Sequence, residues 1–148
     1  MLRYAFLSLL VVAADQAAKA WARTLTEPVA LIPGVLGLRY TVNTGMAFSM
    51  LSGHAWLLGL ASVAVIVAGA LALRRFRLGP LSRTAAALML GGAVGNMLDR
   101  LLLGYVTDMV EVLLFRFAVF NVADAALCVG CALMAASLIF CKGDWESK

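Results

Sequence analysis

The sequence predicts an α-helical polytopic membrane protein, with four transmembrane helices and a small sheet at one membrane face. Three observations lead there. The 148-residue chain is 64% hydrophobic and only 14% charged, and its mean hydropathy of +0.96 is well above that of an ordinary soluble core. Four windows, at about 2–22, 54–73, 84–103 and 119–141, each supply roughly the 20 apolar residues that a bilayer crossing requires. The basic residues are also unevenly placed. Arg74, Arg75, Arg77 and Arg83 fall between the second and third windows, Arg3 precedes the first, and Lys142 and Lys148 follow the last. The positive-inside rule assigns that connection and both termini to the cytoplasm, leaving about 23–53 and 104–118 on the other side. Four spans leave little chain over, so residues 1–148 read as one domain. The formal charge of +4 belongs to these membrane-flanking positions, and nucleic acid is not expected as a partner.

The first window, "MLRYAFLSLLVVAADQAAKAWA", has a basic start, an apolar run and the tripeptide Ala18-Lys19-Ala20, which together resemble a cleaved signal peptide. Lys19 inside the tripeptide and Asp15 just before it do not suit a peptidase site, so a permanent helix is expected. In the following outer segment, "VALIPGVLGLRYTVNTG" alternates apolar residues on each side of Pro33-Gly34, which reads as a short hairpin. "VEVLLFRFAVF", after Asp108, is similarly strand-like, and the segments could assemble into a small outer sheet. The fourth window holds Cys128, Cys131 and Cys141, read as small apolar residues. His54 has no partner at zinc spacing. Neither a metal nor a cofactor is expected.

Charged residues within spanning helices cost about 2.5–3.5 kcal/mol each on insertion scales and mark functional sites by default. Asp15 and Lys19, four apart, share one face of the first helix. Asn96 and Arg100 share a face of the third, with Asp99 one turn from Asn96, while Asn121 and Asp124 stand at the start of the fourth. Asp108 and Glu111 are expected in the loop beyond the third helix, and Asn43 with Thr44-Gly45 in the loop before the second. All these groups converge on the outer boundary of the membrane. Snorkelling accounts for scattered lysines better than for clustered acids and amides.

Two carboxylates in a poorly hydrated site cannot both ionise cheaply, so they share a proton. The ionised member can take a proton from an attacking water while the protonated member polarises a carbonyl and supplies the leaving amine. Peptide hydrolysis at a membrane surface fits that pairing. Spacing alone leaves open which two of Asp15, Asp99, Asp108, Glu111 and Asp124 form the pair. A Ser–Lys dyad from Ser49 or Ser52 with Lys19 is weaker, because Asp15 favours a charged Lys19. A proton-coupled transporter would be expected to place its key carboxylate near the midplane, and a structural subunit would tolerate loss of the acids.

"DQAAK" at 15–19, "NTGMAFS" at 43–49, "GGAVGNMLDRLLLGYVTD" at 91–108 and "FNVADA" at 120–125 occur in the order and approximate spacing of the lipoprotein signal peptidase family, signal peptidase II, which the chain resembles over nearly its whole length. The resemblance implies an intramembrane aspartyl peptidase of the bacterial inner membrane, with its active site near the periplasmic face. Its substrate would be a prolipoprotein carrying a diacylglyceryl cysteine, cut just before that cysteine. It implies Asp108 and Asp124 as catalytic residues. It also implies that Asp15, Lys19, Asn43, Gly45, Asn96, Arg100 and Asn121 shape the pocket, hold the aspartates or contact substrate and the antibiotic globomycin. Asp99 is expected to be structural, with a partner other than Arg100. A small periplasmic β cradle, a short helix near 46–53 and lateral entry of substrate from membrane lipid are implied as well. A monomer is expected, since the polar set is complete in one chain. Met46, Glu111 and Ala125 depart from common family residues, and "LLFRFAVFN" lacks a frequent tryptophan and proline. None of these departures touches the two proposed catalytic acids.

Overall fold

The computed structural model describes residues 2–45 and 55–147. The expected short helix near 46–53, together with Met46, Ser49, Ser52 and His54, lies outside these described residues. The elements in chain order are α1 (Leu2–Ala22), β1 (Val29–Ile32), β2 (Leu36–Asn43), α2 (Ala55–Leu73), β3 (Phe76–Leu78), α3 (Pro80–Leu102), β4 (Val106–Val112) and α4 (Val122–Phe140). A short 3-10 turn (Lys142–Asp144) and β5 (Trp145–Ser147) follow.

The four long helices fall close to the expected windows, but they are not equally apolar. Among the described residues α1, the Trp56–Leu73 stretch of α2, and α4 are long and apolar enough to cross a membrane. Although α3 is 23 residues long, it carries Asn96, Asp99, Arg100 and the glycines Gly91, Gly92 and Gly95, which lower its hydropathy. It is also the helix that packs against all three others. Glycines make this possible: a Cβ at Gly95 would stand 2.6 Å from Asp15 Oδ2, and one at Gly92 would overlap the Ala123 carbonyl. Small residues bring helix backbones together where lipid supplies no hydrophobic drive.

The molecule's polarity is inverted relative to a soluble domain. Its buried residues include Asp15, Lys19, Asn96, Asp99, Thr107, Asp108 and Asn121, whereas Leu2, Phe6, Trp56, Val65 and Phe140 are exposed. Charge inside and large apolar side chains outside is the arrangement a hydrocarbon solvent favours.

The expected hairpin is present. Pro33-Gly34 lies between β1 and β2, with Gly34 at a positive φ of 73°, a conformation glycine adopts without steric penalty. Pairing is antiparallel in the order β1-β2-β4. The third strand differs from expectation. It runs Val106–Val112, so Asp108 and Glu111 lie within a strand rather than in a loop, with Thr41 opposite Asp108 and Gly37 opposite Glu111. The open edge of β2 supplies the reason: it offers backbone partners to the chain leaving α3, and Gly104, at φ 78°, precedes the new strand. Of residues 113–120, expected to be strand-like, Phe120 alone makes a bridge, to Val110. At the opposite end of the helices, β3 and β5 form a second, two-stranded ladder that local pattern did not announce.

Candidate active site

Two local devices set the carboxylates. Asn121 is the N-cap of α4 and accepts from the Asp124 backbone N–H at 2.9 Å, while Asp124 Oδ2 accepts from the Asn121 N–H at 3.2 Å. This reciprocal capping box satisfies two helix-end donors and fixes the Asp124 side chain at once. Asp108 projects from the middle of β4, where its Oδ1 accepts from Asn121 Nδ2 at 2.6 Å and its Oδ2 from Asn43 Nδ2 at 3.0 Å.

The two acids are joined through amides. Asn121 Nδ2 also reaches Asn96 Oδ1 at 3.1 Å, and Asn96 Nδ2 donates to Asp124 Oδ1 at 2.7 Å. Asp108, Asn121, Asn96 and Asp124 thus form one continuous hydrogen-bonded run. Both acids, with Asn43, Asn96 and Arg100, line a cleft of about 950 Å³ whose far wall includes Phe117 and Val119. Burial pushes the Asp108 carboxyl up to about 6; the Asn43 hydrogen bond opposes it, the Asp124 charge adds to it, and Asn121 and Lys19 oppose it further.

Behind this run lies a sealed charge cluster. Lys19 and Asp15 are fully buried, 2.8 Å apart, and Lys19 also meets Asp99 at 3.3 Å and Asn96 Oδ1 at 2.9 Å. Asp15 Oδ1 accepts from the Ala123 N–H at 2.9 Å and Asp99 Oδ2 from the Thr107 N–H at 2.9 Å. Each carboxylate therefore ties α1 or α3 to the chain segment bearing one of the two cleft acids. Asp99 does have partners other than Arg100, namely Lys19, Thr107, Gln16 and Arg23. Gln16, Thr107 and Arg23 were not singled out from sequence. Gln16 lies inside "DQAAK", next to Asp15, and that position was the available signal.

The remaining expected residues divide. Gly45 flanks the cleft, donating its N–H to Asn43 Oδ1 at 3.0 Å and accepting from Arg100 Nη2 at 3.4 Å. Arg100 Nε is buried without a partner among the described residues. Glu111 is not in the cleft; it forms a two-contact pair with Arg39, at 2.8 and 3.2 Å, on the sheet surface. Lys19 is fully buried against Asp15 and Asp99, while Ser49 and Ser52, the nucleophiles of the Ser–Lys scheme, lie outside the described residues. Among the described residues, no cluster of side chains suits a metal ion.

The family model for signal peptidase (SPase) II matches residues 7–140. The chain belongs to the signal peptidase II family. The lipoprotein signal peptidase of Latilactobacillus sakei subsp. sakei (strain 23K) is 43% identical over 88% of this chain and 89% of that protein. That of Bacillus subtilis (strain 168) is 34% identical over 98% of both chains, and that of Pseudomonas putida (strain KT2440) 38% over 95% and 89%. A solved bacterial membrane enzyme superposes with a TM-score of 0.88 at 25% identity, covering 100% of this chain and 96% of that one. As a signal peptidase II the chain is an aspartic endopeptidase of a membrane, and its cleft is where two aspartates converge.

Proposed function

We propose that this signal peptidase II cuts prolipoproteins just before a diacylglyceryl cysteine, with Asp108 and Asp124 as the catalytic pair. The observation that carries the proposal is that these two acids share one cleft and one amide run. The outer oxygen lone pairs remain for water and substrate. The ionised aspartate takes a proton as water attacks the scissile carbonyl carbon, and the protonated one hydrogen-bonds the carbonyl oxygen, then protonates the leaving amine as the C–N bond breaks. Arg100, which lines the cleft, contacts the substrate. Asn43, Gly45, Asn96 and Asn121 hold the pair, and Asp15, Lys19 and Asp99 support it from behind.

In this reading α3 is the fourth span, its polar groups turned to the other helices and not to lipid. Both termini lie in the cytoplasm and the three-stranded sheet forms a cradle at the periplasmic face of the bacterial inner membrane. Substrate enters sideways from lipid, and its acyl chains supply binding energy away from the reacting bond. The enzyme acts as a monomer and is blocked by globomycin.

The deciding experiment is cleavage of a diacylglyceryl prolipoprotein by the purified chain, beside Asp108→Asn and Asp124→Asn at matched folding. Cutting before the lipidated cysteine by the native chain alone supports the pair. Retained cutting by both variants overturns it, and equal cutting of an unmodified cysteine overturns the lipid requirement.

A further inference from the structure

The end of the molecule opposite the cleft carries unanswered positive charge beside an apolar groove. Among the described residues Lys19, Arg23 and Arg39 each have a carboxylate partner, but Arg3, Arg74, Arg75 and Arg83 have none. Arg3 and Arg83 instead approach the same Tyr4 ring, at 4.7 and 6.0 Å. Asp144, the acid nearby, accepts hydrogen bonds from the first turn of α3, through Ser82 N at 2.8 Å and Ser82 Oγ at 3.0 Å. Arg77 stands opposite Glu146 in the backbone register of the β3–β5 ladder.

Between the last turns of α2 and β3 runs a groove of about 490 Å³, lined by Ala68, Leu71, Ala72, Arg75 and Phe76. Small side chains form its floor. Phe76 is held as one wall by an edge-to-face contact with Trp145, ring centroids 5.5 Å apart, and by the β3–β5 pairing. Arg75 is its one charged residue. The groove begins on the most hydropathic helix in the chain, only 11% of whose spanning window is buried, and it ends where that helix ends.

We infer that this groove binds one anionic phospholipid, an acyl chain lying over Ala68, Leu71 and Ala72 and the phosphate meeting Arg75. The chemistry of the lining selects that occupant. Apolar walls on a bare spanning helix take hydrocarbon, and a guanidinium at the helix end with no carboxylate partner among the described residues takes a phosphate at headgroup depth. Arg74, adjacent and also without a carboxylate partner among the described residues, adds to the local positive field and favours a net negative headgroup over a zwitterionic one. This inference rests on α2 crossing the bilayer and not on the catalytic pair, and its readout is binding, so the two readings fail separately.

The test uses the full chain in phosphatidylcholine nanodiscs, with and without phosphatidylglycerol. Thermal unfolding and lipid retention by native mass spectrometry are followed for the native chain, Arg75→Gln and Ala72→Phe; the last fills the groove and leaves every charge in place. Phosphatidylglycerol is expected to raise the native midpoint and to be retained, with retention about tenfold weaker in each variant, the loss of one charge-assisted contact or of its groove. Midpoints in phosphatidylcholine alone, expected to be equal, serve as the folding control. A full phosphatidylglycerol shift in Ala72→Phe overturns the groove, and one in Arg75→Gln overturns the phosphate contact. A shift reproduced by soluble glycerol phosphate overturns the lipid assignment.

Discussion

Lys19 Nζ stands 2.9 Å from Asn96 Oδ1, and since an ammonium can only donate, this contact decides which way the Asn96 amide faces. Nδ2 is thereby turned to Asp124. Asn121 is oriented in the same manner, because its Oδ1 must accept the Asp124 backbone N–H, which turns its Nδ2 to Asp108. Lys19→Met removes the lock and strands two buried carboxylates. Breaking a buried ion pair costs about 3–5 kcal/mol, and thermal unfolding should show a loss of that order. Adding Asp15→Asn to Lys19→Met should recover part of it, by removing one stranded charge. An additive double variant would contradict the pairing.

Asn43 donates to the ionised form of Asp108, so it holds that carboxyl below where burial alone would take it. Asn43→Ala should therefore raise it. A hydrogen bond to a charged group is worth about 1.5–3 kcal/mol, and about 1.4 kcal/mol corresponds to one pH unit. With Asp108 in the catalytic pair as proposed, one limb of the kcat/KM profile should move to higher pH by about one unit. A profile with both limbs unmoved would show that the Asn43 contact does not tune the acid.

At the α3–α4 crossing, the neighbour that a Gly92 side chain would meet is the Ala123 carbonyl, which is backbone and cannot rotate aside. Gly92→Ala should cost about 1–3 kcal/mol, as overpacking does. It should also displace the first turn of α4, which carries Asp124. Gly69, with open space around its position, is the control: Gly69→Ala should leave the unfolding midpoint unchanged or raise it.

Asp144 accepts from Ser82 N, Ser82 Oγ and Ser137 Oγ, which lowers its carboxyl from the ordinary range, the Ser82 backbone N–H first among the causes. A lowered acid stabilises the fold above the unfolded value of about 3.9 and loses that contribution as pH falls through the folded value. The native unfolding midpoint should therefore drop on acidification below about pH 4 more steeply than that of Asp144→Asn. Parallel curves would remove Asp144 from the account.

Much of this was legible from spacing. Asp15 and Lys19, four apart, had to share a face, and the amphipathic contradiction of acids in apolar helices marked the cleft level. The assignment of Asp108 and Asp124 came from motif resemblance, because periodicity treats all five acids alike. Pairing over long sequence distance escaped the reading. Asp108 lies in a strand because β2, 65 residues earlier at Asn43, offers an edge to it. Asp144 caps a helix begun more than 60 residues before. Glu111 looked equivalent to the cleft acids in sequence, yet strand alternation and Arg39 carry it to the sheet surface. The hydropathy of α3 was overestimated for a related reason: its three glycines and Asn96 serve contacts with α1 and α4 that no window average can register.

The ion pair within α1 also bears on how the protein is made. The N–H partner of Asp15 belongs to Ala123, 108 residues further along the chain, and the other carboxylate on Lys19 belongs to α3. While α1 is leaving the ribosome neither exists. Because Asp15 and Lys19 stand one turn apart on the same helix, they neutralise each other with no outside help. The translocon thus receives α1 with no net charge at that depth, and the pair remains poised until the later helices arrive to claim it.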